Sequence, residues 1–419
     1  GYKRERLQSK KATAELADTP KTVTVVPEEV IREQGARNLT EVLRNTPGIT
    51  FDAGENGFAT STNNFKLRGF DGSGSVFIDG ARDSGSYARD TFNVEQVEVV
   101  KGAASENGRG GPGGYINLMT KTPTLESFIR AESEIAFDEH GTDPRKRATV
   151  DVNQVVDNFA FRFNGMLEGG GLMGRDLART RAWGVAPSLT YGLGTDFRAT
   201  LAYEHLQRRD RPDWGVPGAT IEDMVNYDPV AGRARRDAFY GLVSDFDNVT
   251  SDALLGRVEY DINNDVTISN QTRWSRVDRD SRYTIPFGYD PATRQVTTQR
   301  QYYDRVNTTI TNQTNLSAAF DLGGVRHNVA AGLEFTHEKS DSLRFGTQNG
   351  STDIFDPDPR NQGIGAPLDP TQRAGVRINT IAAYVYDTIE FNEQWQLTGG
   401  LRAERYSVDI SSRDIATGD

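Results

Sequence analysis

From Phe128 onward the chain alternates apolar and polar residues over long stretches. Residues 159–164 read FAFRFN, and residues 397–404 read LTGGLRAE. Successive side chains of a β-strand point to opposite faces, so this period of two predicts strands with one apolar and one polar face. We expect about eleven antiparallel strands between residues 128 and 410 on this pattern.

The connections between these strands fall into two classes. Asp157-Asn158 and Asn263-Asn264 are tight turns, whereas about 40 polar residues follow Arg208 and about 30 follow Ser340, far more than a hairpin needs. Short turns at one end and long loops at the other are typical of a transmembrane β-barrel of the bacterial outer membrane. The alternative is a soluble β-sandwich with large insertions, which the length of the strands disfavours.

The first 123 residues have a different pattern. Pro27 and two acids open a helix that Gly35 ends, and Asn38 precedes a second helix with Leu39 and Val42 on one face. Short strand-like runs and glycine turns fill the remainder. We therefore expect an α+β domain over residues 1–123 and barrel strands over residues 124–419.

The strand count constrains the whole assembly. Bacterial single-chain barrels have even strand numbers, and only the class of about 22 strands has a lumen that is filled by a folded domain. We expect the first domain to be such a plug and the chain to hold about half of the barrel strands. The sequence is therefore expected to be the N-terminal part of a longer protein, and its sheet is not expected to close on itself.

Composition removes several classes of function. The 419 residues include no cysteine and carry a formal net charge of -11. Absence of cysteine excludes thiol catalysis, cysteine-ligated zinc and iron–sulfur clusters, and the acidic balance disfavours nucleic-acid binding. No apolar run approaches the roughly 18 residues of a membrane-spanning helix.

Enzymatic motifs are weak. Gly108, Gly110 and Gly113 match a dinucleotide-binding pattern, but the strand-like run from Tyr115 follows where that motif requires a helix. The four histidines are scattered, and the acidic run 353–358 lacks the glycine and the terminal glutamate of a calcium loop. We expect no catalytic residues, no metal site and no cofactor.

A series of segments in the first domain resembles, in order, the plug of TonB-dependent outer-membrane receptors. They are 18–26 (DTPKTVTVV), 39–48 (LTEVLRNTPG), 65–70 (FKLRGF), 77–83 (FIDGARD), 93–102 (NVEQVEVVKG) and 108–123 (GRGGPGGYINLMTKTP). The run RDSGSYARD at residues 82–90 most resembles receptors for ferric catecholate siderophores.

This resemblance implies import of ferric siderophore complexes across the outer membrane of a Gram-negative bacterium, driven by TonB. Haem, cobalamin or a glycan as the imported nutrient, or a passive porin, remain alternatives. The implied partners are the ferric siderophore, TonB and outer-membrane lipid. Since the siderophore supplies the iron ligands, the resemblance implies no cofactor. No convincing TonB-contacting segment is present between Gly1 and Ala17.

A ferric catecholate is anionic and aromatic, so arginine and aromatic side chains are expected to bind it. The candidate ligand-binding residues are Phe58, Arg82, Asp83, Tyr87, Arg89, Arg211 and Trp214. The polar run at residues 80–90 is expected to project from the plug. The alternative for the loop arginines is ion pairing with neighbouring aspartates at the surface.

Two further arginines match a different position of the family. In these receptors, plug arginines pair with barrel carboxylates and hold the plug in place. The resemblance implies this role for Arg68 and Arg109.

Overall fold

The computed structural model describes residue 4 and residues 6–51, 64–102, 105–108, 111–139, 141 and 143–417. Within these ranges, no helix has both the length and the apolar character needed to cross a membrane. The chain forms an N-terminal domain, defined by the elements between residues 22 and 120, and a large antiparallel sheet that begins at Phe128.

The N-terminal domain contains short strands and two short helices. The strands are β1 Thr22–Pro27, β2 Ile49–Phe51, β3 Phe65–Leu67, β4 Phe70–Asp71, β5 Val76–Ile78, β6 Ala81–Arg82, β7 Val94–Lys101 and β8 Gly114–Thr120. The helices are α1 Glu28–Glu33 and α2 Leu39–Leu43, and Ser105–Asn107 forms a 3-10 turn. One sheet has the order β1-β7-β8-β5-β6, and β2, β3 and β4 form a second.

Local sequence signals explain the helical part of this domain. Asn38 caps α2, because its side chain accepts the Glu41 N–H at 3.0 Å, while the Glu41 carboxylate accepts the Arg37 N–H at 2.7 Å. Leu39, Val42 and Leu43 then pack into a buried core with residues of β3, β5, β7 and β8. The predicted capping pattern and α+β character are confirmed.

The large sheet contains long strands in sequence order. They are β9 Phe128–Ala136, β10 Arg145–Val156, β11 Phe159–Gly171, β12 Arg179–Tyr191, β13 Phe197–Asp210, β14 Phe246–Asn263, β15 Val266–Asp290, β16 Gln295–Leu322, β17 Val325–Arg344, β18 Gln348–Asp353, β19 Gln372–Asn392 and β20 Trp395–Asp414. Eleven of them form one antiparallel path from β9 to β20, and β18 pairs with β16 beside it. Among the described residues, β9 and β20 are the two edges, so the expectation of an unclosed sheet is confirmed.

The two faces of the sheet have opposite character. On β12 the exposed side chains Trp183, Leu189 and Tyr191 alternate with the buried residues Ala182, Ala186 and Ser188. The buried face lies against the N-terminal domain, where Phe92 packs with Ala182, Ala186 and Leu206. Exposed apolar residues therefore cover the outward face, and the inward face encloses the domain.

Charged contacts reinforce this packing. The Asp90 carboxylate of the N-terminal domain accepts two hydrogen bonds from Arg147 of β10, at 2.6 and 3.0 Å. Arg208 of β13 lies 3.7 Å from the same carboxylate, and Glu168 of β11 binds Arg147 at 2.6 Å. All four side chains are buried. Because buried charges are stable only when paired, this cluster fixes the domain against β10–β13.

The long connections between the strands also pack against one another. Residues 211–245 between β13 and β14 lie against the tip of the β15–β16 hairpin and the segment after β18, around the buried ring of Tyr240. The Tyr240 hydroxyl donates to the Ile354 carbonyl at 2.6 Å. Asp245 closes the base of this loop, because its carboxylate accepts the N–H groups of Leu242 and Thr284, both at 2.9 Å.

The Asp90 cluster leads to a stability prediction. Replacing Asp90 with Ala leaves the buried cations Arg147 and Arg208 with fewer carboxylates, and we expect this to destabilise domain docking by about 3 kcal/mol. Hydrogen exchange of β7 and β8 in the full-length protein measures it. The control is Asp278→Ala, which removes an exposed pair with Arg276 and should change stability by less than about 1 kcal/mol. Equal effects of the two substitutions would contradict the structural role of Asp90.

A second prediction concerns pH. Burial raises the pKa of Asp245 to about 6, above the ~3.9 of an unfolded chain. The folded loop therefore binds the proton more tightly, so its stability is greatest at acidic pH and falls as the pH rises from about 4 through about 6. Hydrogen-exchange protection of residues 240–246, corrected for intrinsic rates, should decrease from pH 5 to pH 7.5. Asp245→Asn should abolish that decrease; a variant that retains it would assign the titration to another group.

Candidate functional site

Residues 83–90, which we call the apex loop, follow β6 and meet the inward face of β15 and β16. The Arg279 guanidinium donates to the Ser86 carbonyl at 3.2 Å. The hydroxyls of Ser84 and Thr309 lie 3.3 Å apart. Below the loop, Gln271 and Gln313 donate to the carbonyls of Asp79 and Gly80, at 2.7 and 3.1 Å. The sheet therefore binds both the turn of the β5–β6 hairpin and the apex loop that follows it.

The apex loop is not exposed, as a projecting polar loop was expected to be, because it packs against the inward wall of the barrel. Asp83, Tyr87 and Arg89 are buried. The Asp83 carboxylate accepts from the Tyr87 hydroxyl at 3.0 Å and from Arg89 Nε at 2.7 Å, and the Arg89 guanidinium lies over the Tyr87 ring. Because the polar groups of these three residues satisfy one another, they can be buried together against the barrel wall.

Burial also determines the protonation state of this unit. Loss of solvent, followed by the negative charge of Asp83, raises the pKa of Tyr87, so the phenol remains a hydrogen-bond donor. Arg82 is half-buried: its guanidinium lies 4.9 Å from the centre of the Phe77 ring and donates to the Gly74 carbonyl. Of the four candidate residues in this run, Arg82 is the least enclosed.

The two outer candidates, Arg211 and Trp214, lie in the connection that follows β13. The Trp214 ring stacks on Tyr283 of β15, with centroids 4.4 Å apart. Arg211 donates to the Leu177 carbonyl at 3.1 Å, and burial together with Arg179 lowers its pKa. Arg211 Nε and Trp214 Nε1 are buried and have no hydrogen-bond partner within the described part of the chain.

The inward positions of β15 and β16 carry a group that sequence reasoning missed. Arg279 and Arg305 are directly opposite in the register of these strands. Both guanidinium groups lie over the Tyr303 ring, at 4.6 and 5.1 Å from its centre. Arg279 is compensated by Asp247, which accepts two hydrogen bonds at 2.6 and 2.9 Å.

Arg305 is not compensated in this way. No carboxylate among the described residues forms an ion pair with it, and both its Nε and the Tyr303 hydroxyl are buried without a hydrogen-bond partner. The result is a cationic and aromatic cluster on the inward wall next to the apex loop, which we call the recess, with Tyr283 and Trp214 further toward the long loops. An anionic aromatic ligand would supply the charge and the acceptors that this recess lacks.

The alternation itself contained the signal for this recess. Arg279, Tyr283, Tyr303 and Arg305 all occupy odd positions, the inward set of these two strands at the apex loop. The pairing of β15 with β16, which brings them together, cannot be read from the sequence.

The structure does not place the other three candidate residues in this recess. Phe58 and Arg109 lie outside the described residues. Arg68 is exposed, has a left-handed backbone with φ 51°, and donates to the Thr22 hydroxyl at 3.2 Å; no described carboxylate pairs with it. In the described ranges, no cluster of three or more histidine, aspartate or glutamate side chains could hold a metal ion.

Comparison with known proteins agrees with this architecture. The family model for the TonB-dependent receptor plug domain matches residues 15–115, and that for the TonB-dependent receptor-like β-barrel matches residues 182–418. The catecholate siderophore receptor Fiu of Escherichia coli K12 is 38% identical over an alignment of 438 positions, which covers 100% of this chain and 57% of Fiu. The chain therefore spans little more than half the length of this relative.

Solved structures give the same result. The closed form of the ferric-catecholate import receptor Fiu from E. coli K12 matches with a TM-score of 0.88 and 36% identity, covering 98% of this chain and 60% of Fiu. The siderophore receptor PiuA from Acinetobacter baumannii matches with a TM-score of 0.86 and 28% identity, covering 99% of this chain and 64% of PiuA. The chain belongs to the TonB-dependent receptor family of the Gram-negative outer membrane, and it comprises the plug and about half of the β-barrel.

Proposed function

We propose that the protein imports ferric siderophores of the catecholate type, with TonB supplying the energy. The observation that carries this proposal is Arg305, a guanidinium without a carboxylate partner that lies on Tyr303 beside Arg279 and above the plug. A ferric catecholate offers the complementary properties, namely negative charge and aromatic rings. The name of the relative Fiu supports a catecholate siderophore, and the name of PiuA supports a siderophore without giving its class.

The proposed transport involves no bond making or breaking in the protein. The siderophore brings every iron ligand, so no cofactor and no catalytic residue are needed, and the protein is a receptor and not an enzyme. In this proposal the plug extends over residues 1–123 and the barrel strands over residues 124–419. The plug would rearrange when TonB pulls on it, and the ligand would pass inward.

The buried state of the apex loop changes the roles that we propose for its residues. Asp83, Tyr87 and Arg89 would maintain the shape of the plug apex, because their polar groups are already bound to one another. Arg82, Arg211 and Trp214 remain candidates for direct ligand contact, as does Phe58. Arg68 and Arg109 remain proposed plug anchors.

Electrostatics favours an anion in the recess. Asp247 compensates Arg279, so the charge of Arg305 is the part that a ligand would neutralise. A charged group that is removed from water requires a partner, and a charge-assisted hydrogen bond provides one. The guanidinium groups of Arg279 and Arg305 both lie over the Tyr303 ring. A catechol ring could stack on these guanidinium groups in the same way.

Substitution of Arg305 tests the proposal. Arg305→Gln should weaken binding of a ferric catecholate by about ten- to hundredfold, because a hydrogen bond to a charged group contributes about 1.5–3 kcal/mol. Tryptophan quenching in the full-length receptor measures the dissociation constant. The matched control is Arg276→Gln, which lies on the outward face of the neighbouring strand β15 and pairs with Asp278; it should leave binding unchanged.

Two further measurements separate this proposal from its alternatives. A neutral ferric hydroxamate should lose less affinity than the catecholate in the Arg305 variant, since it carries less negative charge. Unchanged catecholate affinity in that variant would disprove the assigned recess. Preferential binding of haem, cobalamin or a glycan, or a steady open pore in single-channel recordings, would disprove siderophore import itself.

A further inference from the structure

The outward face of the sheet carries a groove of about 580 Å³ across β9–β12. At the end of the groove away from the short turns, the strand register pairs Lys146 of β10 with Gly169 of β11, and Gly169 with Arg181 of β12. These three residues therefore form one row across adjacent strands. Gly169 has no side chain, so the two cations flank an open notch, about 10 Å apart at their backbones.

The next row toward the short turns is apolar. It consists of Ala148, Leu167 and Trp183, again paired directly by the register. Leu167 and Trp183 are exposed, as is Ile135 of β9, which is paired with Lys146. The groove therefore has an apolar floor below a pair of cations.

The position of this groove along the strands corresponds to the edge of the apolar band. On β12, the outward residues between Tyr191 and Trp183 span about 26 Å along the strand, or about 20 Å of height at the tilt typical of such barrels, close to the ~25 Å apolar band. Tyr191 and Trp183 mark its two aromatic rims, as outer-membrane barrels usually have. Lys146 and Arg181 lie one row beyond Trp183, at the level of lipid headgroups.

The charges around the groove leave these two cations available. Of the acids that line it, Glu168 is bound by Arg145 and Arg147, and Glu134 is bound by Arg37. Asp143 lies at the loop end of the groove. Lys146 and Arg181 have exposed side chains, and neither forms an ion pair with Asp143 or with any other described carboxylate.

We propose that this groove binds a phosphorylated lipid of the outer leaflet. The phosphate would lie in the notch between Lys146 and Arg181, where both side chains can donate charge-assisted hydrogen bonds. An acyl chain would lie along Ile135, Leu167 and Trp183. This site depends on the membrane location of the receptor and is independent of the ligand that it imports.

The test uses the full-length receptor and bisphosphorylated lipid A as the probe, with binding measured by native mass spectrometry. Lys146→Ser combined with Arg181→Ser should weaken lipid binding at least tenfold, equivalent to about 1.4 kcal/mol. The matched control combines Arg276→Ser with Lys339→Ser, which removes two outward cations already paired with Asp278 and Asp341. The control variant should bind lipid as the wild type does.

Two additional probes identify the chemistry. Lipid A that lacks its phosphates should bind the wild type as weakly as lipid A binds the double variant. Inorganic phosphate should compete poorly, because it lacks the acyl chains that the apolar floor holds. Equal binding of the two lipid forms, or full displacement by inorganic phosphate, would overturn the proposal.

A second variant keeps the charges and fills the notch. At Gly169 the nearest atom to an added Cβ is the Thr180 carbonyl oxygen, 4.0 Å away, so the backbone accepts Gly169→Leu. This variant should lose lipid binding while ferric siderophore binding, which reports an intact fold, stays unchanged. Wild-type lipid binding by Gly169→Leu would show that the notch is not the binding site and would overturn the proposal.

Discussion

The Asp90 carboxylate is the contact on which the arrangement of plug and barrel depends. It binds Arg147 from β10 and lies near Arg208 from β13, so it joins the plug to two barrel strands that are not adjacent. Its other carboxylate contact is the Phe92 N–H at 2.9 Å. A buried carboxylate with these partners has one favourable position, because moving it would leave two buried guanidinium groups with fewer acceptors. This contact therefore holds the plug to β10 and β13 together.

The position of Asp90 at the end of the apex loop carries this constraint to the ligand side. The Leu39 N–H donates to the Arg89 carbonyl at 3.0 Å, which attaches the loop to α2, and the Asp83–Tyr87–Arg89 contacts close it internally. The loop then presents the Ser86 carbonyl to Arg279. Since the polar groups of the apex loop are already bound to one another, the uncompensated charge of the recess belongs to Arg305 on the barrel wall.

Different parts of this structure were predictable to different degrees. Alternation of side chains predicted the eleven-strand path, and Asn38 with Glu41 predicted the start of α2, because both signals act over a few residues. The apex loop was misread because its polar composition was taken to mean exposure, whereas its donors and acceptors satisfy one another. The contacts of Asp90 with Arg147 and of Arg279 with Arg305 depend on tertiary placement and strand register, which the sequence alone does not specify.

The period of two also separates the functions of the barrel wall. Arg208 and Arg209 are neighbours in sequence, yet Arg208 faces Asp90 of the plug while Arg209 is exposed on the outward face. Glycine also distinguishes the two faces, because a glycine leaves space on one face of the sheet only. An added Cβ at Gly184 would lie 2.8 Å from the Phe92 ring, so this inward glycine is required for plug packing. Gly169 faces outward and has space for a side chain, because an added Cβ would lie 4.0 Å from its nearest neighbour, so plug packing does not require glycine there.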